Sequence, residues 1–154
     1  RHAHKRGTYT VGDAFKGNVE GGDPRFIFHH TGTSDTVYVF EAPIDMLSFI
    51  SLYQKDWQQH SYVALCGVAE HALLQHLADN PQIQKIGLCL DHDEAGINAR
   101  KRITGILSER GYRNVFSLFS VYKDWNEDIK AAHGQEAIPA EESSPVCRLT
   151  QAMA

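Results

Sequence analysis

Four short apolar runs, three of them followed by a helical period, organise the chain between Val37 and Leu118. Val37-Tyr38-Val39-Phe40 is continuously apolar, as in a strand covered on both faces. Pro43 suits the first turn of the helix that follows, which extends to about Lys55 with Ile44, Leu47 and Ile50 and neighbouring aromatics as its apolar face. Tyr62 to Leu65 predicts a second strand, ending at Cys66-Gly67. Ala69, Ala72, Leu73 and Leu77 then mark a helix that Asn80-Pro81 stops. Ile86 to Leu90 is the third strand. Ala95, Ala99, Ile103 and Ile106 stripe a third helix from Glu94 to about Arg110, closed by Gly111, and Val115 to Leu118 is the fourth strand. Strands alternating with helices of this length predict an α/β fold: a roughly four-stranded parallel sheet flanked by helices.

The flanks read differently. Residues 1 to about 36 have no strong period and are punctuated by glycines. Arg25-Phe26-Ile27-Phe28-His29 is a candidate short strand, and we expect an irregular segment or hairpin there. From 133 to 154 we expect a flexible tail or linker, small and polar from Ala137 on, with Pro139 and Pro145.

With 154 residues, 42% hydrophobic and 22% charged, the chain suits one domain with a sizeable core. No apolar run approaches the ~20 residues that span a bilayer, so no membrane is expected. The basic start Arg1-His2-Ala3-His4-Lys5-Arg6 lacks the apolar stretch of a secretory signal. Because the first residue is not Met, we expect a piece of a longer protein. Three cysteines without CxxC spacing argue against a disulfide framework and for a reducing cytoplasm; Cys66 and Cys89 read as small core residues. His29-His30 and His92 lack partners at zinc-ligand spacing, and structural zinc is rejected. A net charge of -4 is not that of a domain gripping nucleic acid by bulk charge.

The chemistry concentrates where two apolar runs end. Glu41 and Asp45 follow the first strand; Asp91, Asp93 and Glu94 follow the third. Ligands of parallel sheets bind beyond the carboxyl ends of the strands. Acids gathered there repel one another unless a cation sits among them, and side chains two apart in extended chain, such as Asp91 and Asp93, point the same way. Magnesium takes a few carboxylates and keeps several waters. Taken singly, Asp45 also suits a helix start, and Asp91 or Asp93 an N-cap. Glu94 is an exposed helix-start acid. Gly96, in the first turn of a helix, serves either close packing on the strand or backbone approach to a phosphate.

Glu41-Ala42-Pro43-Ile44-Asp45 resembles the ExxxD motif of Toprim domains, and Asp91-His92-Asp93-Glu94-Ala95-Gly96 their DxDxAG form found in bacterial-type primases. Leu65-Cys66-Gly67-Val68-Ala69 resembles the primase segment in which a strand ends in a glycine turn, and Lys123-Asp124-Trp125-Asn126-Glu127-Asp128 the later Lys-Asp segment. The match runs from Val37 to Asp128 with motif order and spacing intact. Ala42 departs from the pattern, standing where the family most often has glycine. The chain is most similar to Toprim-like proteins of bacterial mobile and conjugative elements. That implies residues 1–36 as the end of a primase-associated region, 37–132 as a compact Rossmann-like Toprim catalytic domain, and 133–154 as the tail.

The resemblance implies magnesium-dependent nucleotidyl or phosphoryl transfer on nucleic acid, with manganese as a substitute. It implies Glu41 as general acid/base or shared ligand, Asp91 and Asp93 as the metal pair, and Asp45 as the supporting acid. Lys123, Arg100, Lys101, Arg102, Gly67 and Gly96 are candidates for phosphate or nucleic-acid contact; Asp124, Asn126 and His92 are candidates for support. The expected partners are DNA or RNA, nucleotides, other domains of the same protein and a helicase. A Toprim nuclease and a non-catalytic nucleic-acid or replisome module are the alternatives; no tyrosine nucleophile domain suggests a topoisomerase.

Overall fold

The computed structural model describes residues 4–6, 16–18, 28–66 and 70–141. β1 (His4–Arg6) and β2 (Lys16–Asn18) pair antiparallel in a two-stranded sheet of their own. The main sheet has five strands in the order β3-β5-β4-β6-β7: β3 (His29–His30), β4 (Thr36–Phe40), β5 (Ser61–Ala64), β6 (Lys85–Leu88) and β7 (Asn114–Ser117). The last four run parallel, as the alternation of elements requires, and β3 adds an antiparallel edge on β5. Of the run Arg25 to His29, residues 25–27 lie outside the described residues; the strand itself is His29–His30.

The chain leaves β4 for β5 through α1 (Pro43–Leu52), then crosses back through α2 (His71–Asp79) to β6 on β4's other side. That reversal puts the switch point of the sheet at the C-terminal end of β4, where open α/β sheets form their ligand crevice. α3 (Glu94–Glu109) leads from β6 to β7. Gly111, at φ 91°, takes the left-handed conformation that ends this helix.

Alternation along the strands sends Val37, Val39, Val63, Ile86 and Leu88 to one face, where Leu73 and Leu77 of α2 and Ile103 and Leu107 of α3 cover them. The other face carries Tyr38, Phe40, Tyr62, Ala64 and Cys89, packed by Met46 and Phe49 of α1 and by Trp125. Trp125 opens α4 (Trp125–Ala132), a helix the apolar periodicity did not announce. Its signal is a capping pair: Asp124 accepts the Glu127 N–H at 2.8 Å, with Glu127 in the first turn.

Two helix faces differ from expectation. α1 buries Met46 and Phe49 together with Asp45 and Ser48, leaving Ile44 and Leu47 37% and 47% exposed. The sheet face beneath it is aromatic, and Phe49 meets Phe40 and Trp125 at ring-centroid distances of 5.2 and 5.0 Å, which fixes the helix rotation. On α3 the buried stripe is Gly96, Ile97, Ala99, Arg100, Ile103 and Leu107, with Ala95 exposed. Residues 138–141, within the expected tail, run back over the sheet edge: Lys123 N–H donates to Ile138 and Glu141 N–H to the carbonyl of His92. Residues 142–154 lie outside the described ones.

Candidate metal centre

Three stretches of chain, the β4–α1 turn, the β6–α3 turn and the start of α4, deliver carboxylates to the C-terminal edge of β4 and β6. Glu41 follows β4 directly. Ala42, at φ -133° and ψ 150°, is extended backbone that any residue adopts, so the turn needs no glycine. Pro43 starts α1, and Asp45, in its first turn, is held 3% exposed. Asp91 follows β6. Asp93 is the N-cap of α3, its Oδ1 accepting the Gly96 N–H at 2.8 Å. Asp124 caps α4, and the Asn126 N–H donates to Asp45 Oδ1 at 3.2 Å, tying α4 to α1. Trp125 seats the helix from below, its Nε1–H donating to the Cys89 carbonyl at 2.9 Å.

Asp45, Asp91 and Asp124 each bring a carboxylate oxygen within 4.8 Å of the others. Glu41 lies within hydrogen-bond reach of Asp91, and Asp45 of Asp124. Glu41 Oε1 and Asp91 Oδ1 are buried with no donor among the described residues. Buried acceptors facing one another must share a proton or a cation. Burial, and then the charges of Asp91 and Asp93, push the Glu41 carboxyl up to about 8. Burial followed by Asp91 and Asp124 does the same to Asp45, to about 8. Asp91 rises to about 6 for the same reasons, with Lys123 opposing. An all-oxygen set with orphaned buried oxygens fits a hard divalent ion.

The sequence-derived candidates separate here. Glu41, Asp45, Asp91, Asp93 and Asp124 come together, and Asp124, expected only as support, belongs to the tightest group. Lys123 is half-buried beside them, with no ion-pair partner within 4 Å among the described residues. Arg100 must be corrected. It is 4% exposed beneath the edge and cannot lie along a nucleic-acid backbone. Its guanidinium donates to the carbonyls of Leu88, Leu90 and Leu118 at 2.6, 2.5 and 2.9 Å and lies 4.0 Å over the Phe119 ring. Burial lowers it only to about 10, so it stays charged. It therefore ties the ends of β6 and β7 under Asp91.

Gly96 is corrected as well. Its N–H is engaged by Asp93, and a Cβ would lie 2.0 Å from the Asp91 carbonyl oxygen, so its smallness serves helix-on-strand contact, not a phosphate. Lys101 and Arg102 are exposed about 12 Å down α3 from its cap, and Arg102 pairs with Glu70 at 3.7 Å. The structure does not bring them to the acids. His92 faces inward, its Nδ1 2.7 Å from the Ser120 carbonyl, bracing the loop before α4. Gly67 lies outside the described residues.

A mostly parallel α/β sheet with an oxygen-only acid cluster at its switch point defines a class of proteins that bind divalent ions at a strand edge. Residues 38–129 match the family described as Toprim-like, and the chain belongs to that family. A protein of Mycoplasma pneumoniae described as the uncharacterized protein MG010 homolog is 30% identical over 100 residues, which cover 64% of this chain and 45% of that one. The primase fragment of the bacteriophage T7 primase-helicase protein superposes with a TM-score of 0.51 at 25% identity, over 69% of this chain and 42% of that one. The chain thus spans less than half the length of either relative. Among the described residues, no helix is long and apolar enough to cross a membrane.

Proposed function

We propose that this chain is the catalytic domain of a primase-like protein that transfers nucleotides onto nucleic acid with magnesium, manganese substituting. The observation that carries this reading is the convergence of Asp45, Asp91 and Asp124 within 4.8 Å, beside buried oxygens of Glu41 and Asp91 that no donor satisfies. The family and the likeness to a phage primase fragment support the substrate class. Asp45, Asp91 and Asp124 hold the ion, with Glu41 and the second oxygen of Asp93 beside them. A bound divalent ion supplies charge neutralisation for a phosphoryl group in transfer. Glu41, held next to Asp91, takes or returns a proton. Lys123 offers its ammonium to a phosphate, and Arg100 keeps the Asp91 backbone in place from below. A helicase, in the same protein or beside it, completes the proposal.

Primer synthesis by the full-length protein on single-stranded template tests this reading. Glu41→Gln and Asp91→Asn should abolish synthesis, and retention of wild-type rates by both would overturn it. Divalent-dependent cleavage without synthesis would turn the assignment to a nuclease. Absence of divalent binding at millimolar metal would leave a non-catalytic module.

A further inference from the structure

A second feature lies outside the carboxylate edge. On the aromatic face of the sheet, α1 and α4 leave a cavity of about 410 Å³, in the size range of small-molecule sites. Its walls are aromatic: Tyr38, Phe49, Tyr53, Tyr62, Phe119 and Trp125. They brace one another. Tyr38 stacks on Tyr62 at 5.7 Å and 28°, and Phe49 sits 4.9 Å from Tyr53. Tyr53 and Phe119, 57% and 39% exposed, stand at the rim. Lys55 and His60 also line the cavity, and no carboxylate does.

The polar groups show what the walls would take. Tyr62 is 2% exposed, yet its hydroxyl is not sealed and has no protein partner among the described residues; the Tyr38 hydroxyl has none either. Both phenols line the cavity, and each can donate to an acceptor placed in it. Burial pushes the Tyr62 phenol up to about 12, so it remains a donor. Rigid aromatic walls, two phenol donors in the lining and a rim ammonium suit a flat, acceptor-rich, anionic ligand. We propose that this cavity binds a nucleobase, carried by a single strand or by a mononucleotide. Stacking would give a chain of net charge -4 a hold on nucleic acid that bulk charge does not provide. Trp125 in the wall is the chain neighbour of Asp124, one of the clustered acids.

The inference rests on the nucleic-acid reading for its ligand, but its test needs no catalysis. The full chain, in chelator, is titrated with AMP by tryptophan fluorescence and with a labelled oligodeoxyadenylate by anisotropy. Tyr53→Ala should weaken binding about tenfold or more, as loss of one stacking ring does. Tyr62→Phe, which keeps the ring and removes the hydroxyl, should weaken it severalfold, an effect that a structural role for the ring would not produce. Glu109→Gln, at an exposed acid at the far end of α3, should bind as wild type. Loss on both probes identifies a mononucleotide site and loss on the oligonucleotide alone a strand base; either supports the proposal. Wild-type binding by Tyr53→Ala and Tyr62→Phe, an equal loss in Glu109→Gln, or no binding of either probe overturns it. Failure of primer synthesis with base binding intact would defeat the catalytic reading alone.

Discussion

The two faces of the sheet are built from different materials for different ends. One is aliphatic and sealed: Val37, Val63, Ile86 and Leu88 lie under α2 and a 16-residue α3, with Leu73, Ile103 and Leu107 fully buried. The other is aromatic and open at its rim, where Tyr53 and Phe119 are 57% and 39% exposed. It is also the side on which Asp45 and Asp124 reach the sheet edge. Branched aliphatics interdigitate under α2 and α3 and supply stability. Rings under α1 and α4 leave a rim, a cavity and an edge where buried acids face one another. Stability is thus concentrated on one face and chemistry on the edge of the other, and each prediction below tests that division.

The largest effect belongs to the sealed face. Ile103→Ala should lower unfolding stability by about 2–5 kcal/mol in urea titrations, since a fully buried branched side chain leaves a cavity under a long helix. Divalent affinity of the folded fraction, measured by calorimetry, should not change. A parallel loss of affinity would show that the faces are not separate.

This division also sets what the sequence could tell. The sealed face was legible because continuous aliphatic strands and a helical stripe on α2 follow local rules. Glu41, Asp45, Asp91 and Asp93 were legible because each lies within five residues of a strand that can be seen. Asp124 was only half visible: after Leu118 there is no apolar stripe, and the helix it caps is signalled only by an acid pair three residues apart. The α1 face was misread because Ile44 and Leu47 are as apolar as Met46 and Phe49. The aromatic sheet face and the distant ring of Trp125 decide between them. Arg100 was misread because a cation on a helix ordinarily faces water. Its burial answers to carbonyls 10, 12 and 18 residues away, which no local pattern encodes.

Gly96→Ala tests the seam where the sealed face meets the edge. The added methyl would meet the Asp91 backbone at 2.0 Å, and backbone cannot rotate away. Stability should fall by about 1–3 kcal/mol, the range of overpacking. Unlike Ile103→Ala, this variant should also lose divalent affinity, because the displaced atoms carry Asp91. An unchanged affinity would place the ion away from Asp91.

Asp45→Asn reverses the sign. The amide oxygen can still accept the Asn126 N–H, while one of the mutually repelling charges is gone. In chelator at pH 8 the variant should melt above wild type, and its divalent affinity should drop about tenfold or more. A residue that only capped α1 would give the opposite result, a lower melting temperature with affinity intact.

The smallest effect is a slope. Glu41, Asp45 and Asp91 bind protons more tightly folded, at about 8, 8 and 6, than the roughly 4 of an unfolded carboxyl. A raised folded value contributes stability that is complete below about pH 4 and is lost as pH climbs toward about 8, because the folded state gives up protons it had held. In chelator, the melting temperature should therefore fall by several degrees between pH 5.5 and 8.5, against the usual carboxylate trend. Magnesium should flatten the slope by taking the place of the protons, and Asp45→Asn should make it shallower without magnesium. A melting temperature that stays level or rises over that interval would mean that the acids are solvated apart from one another, and the edge would then differ from the sealed face in composition only.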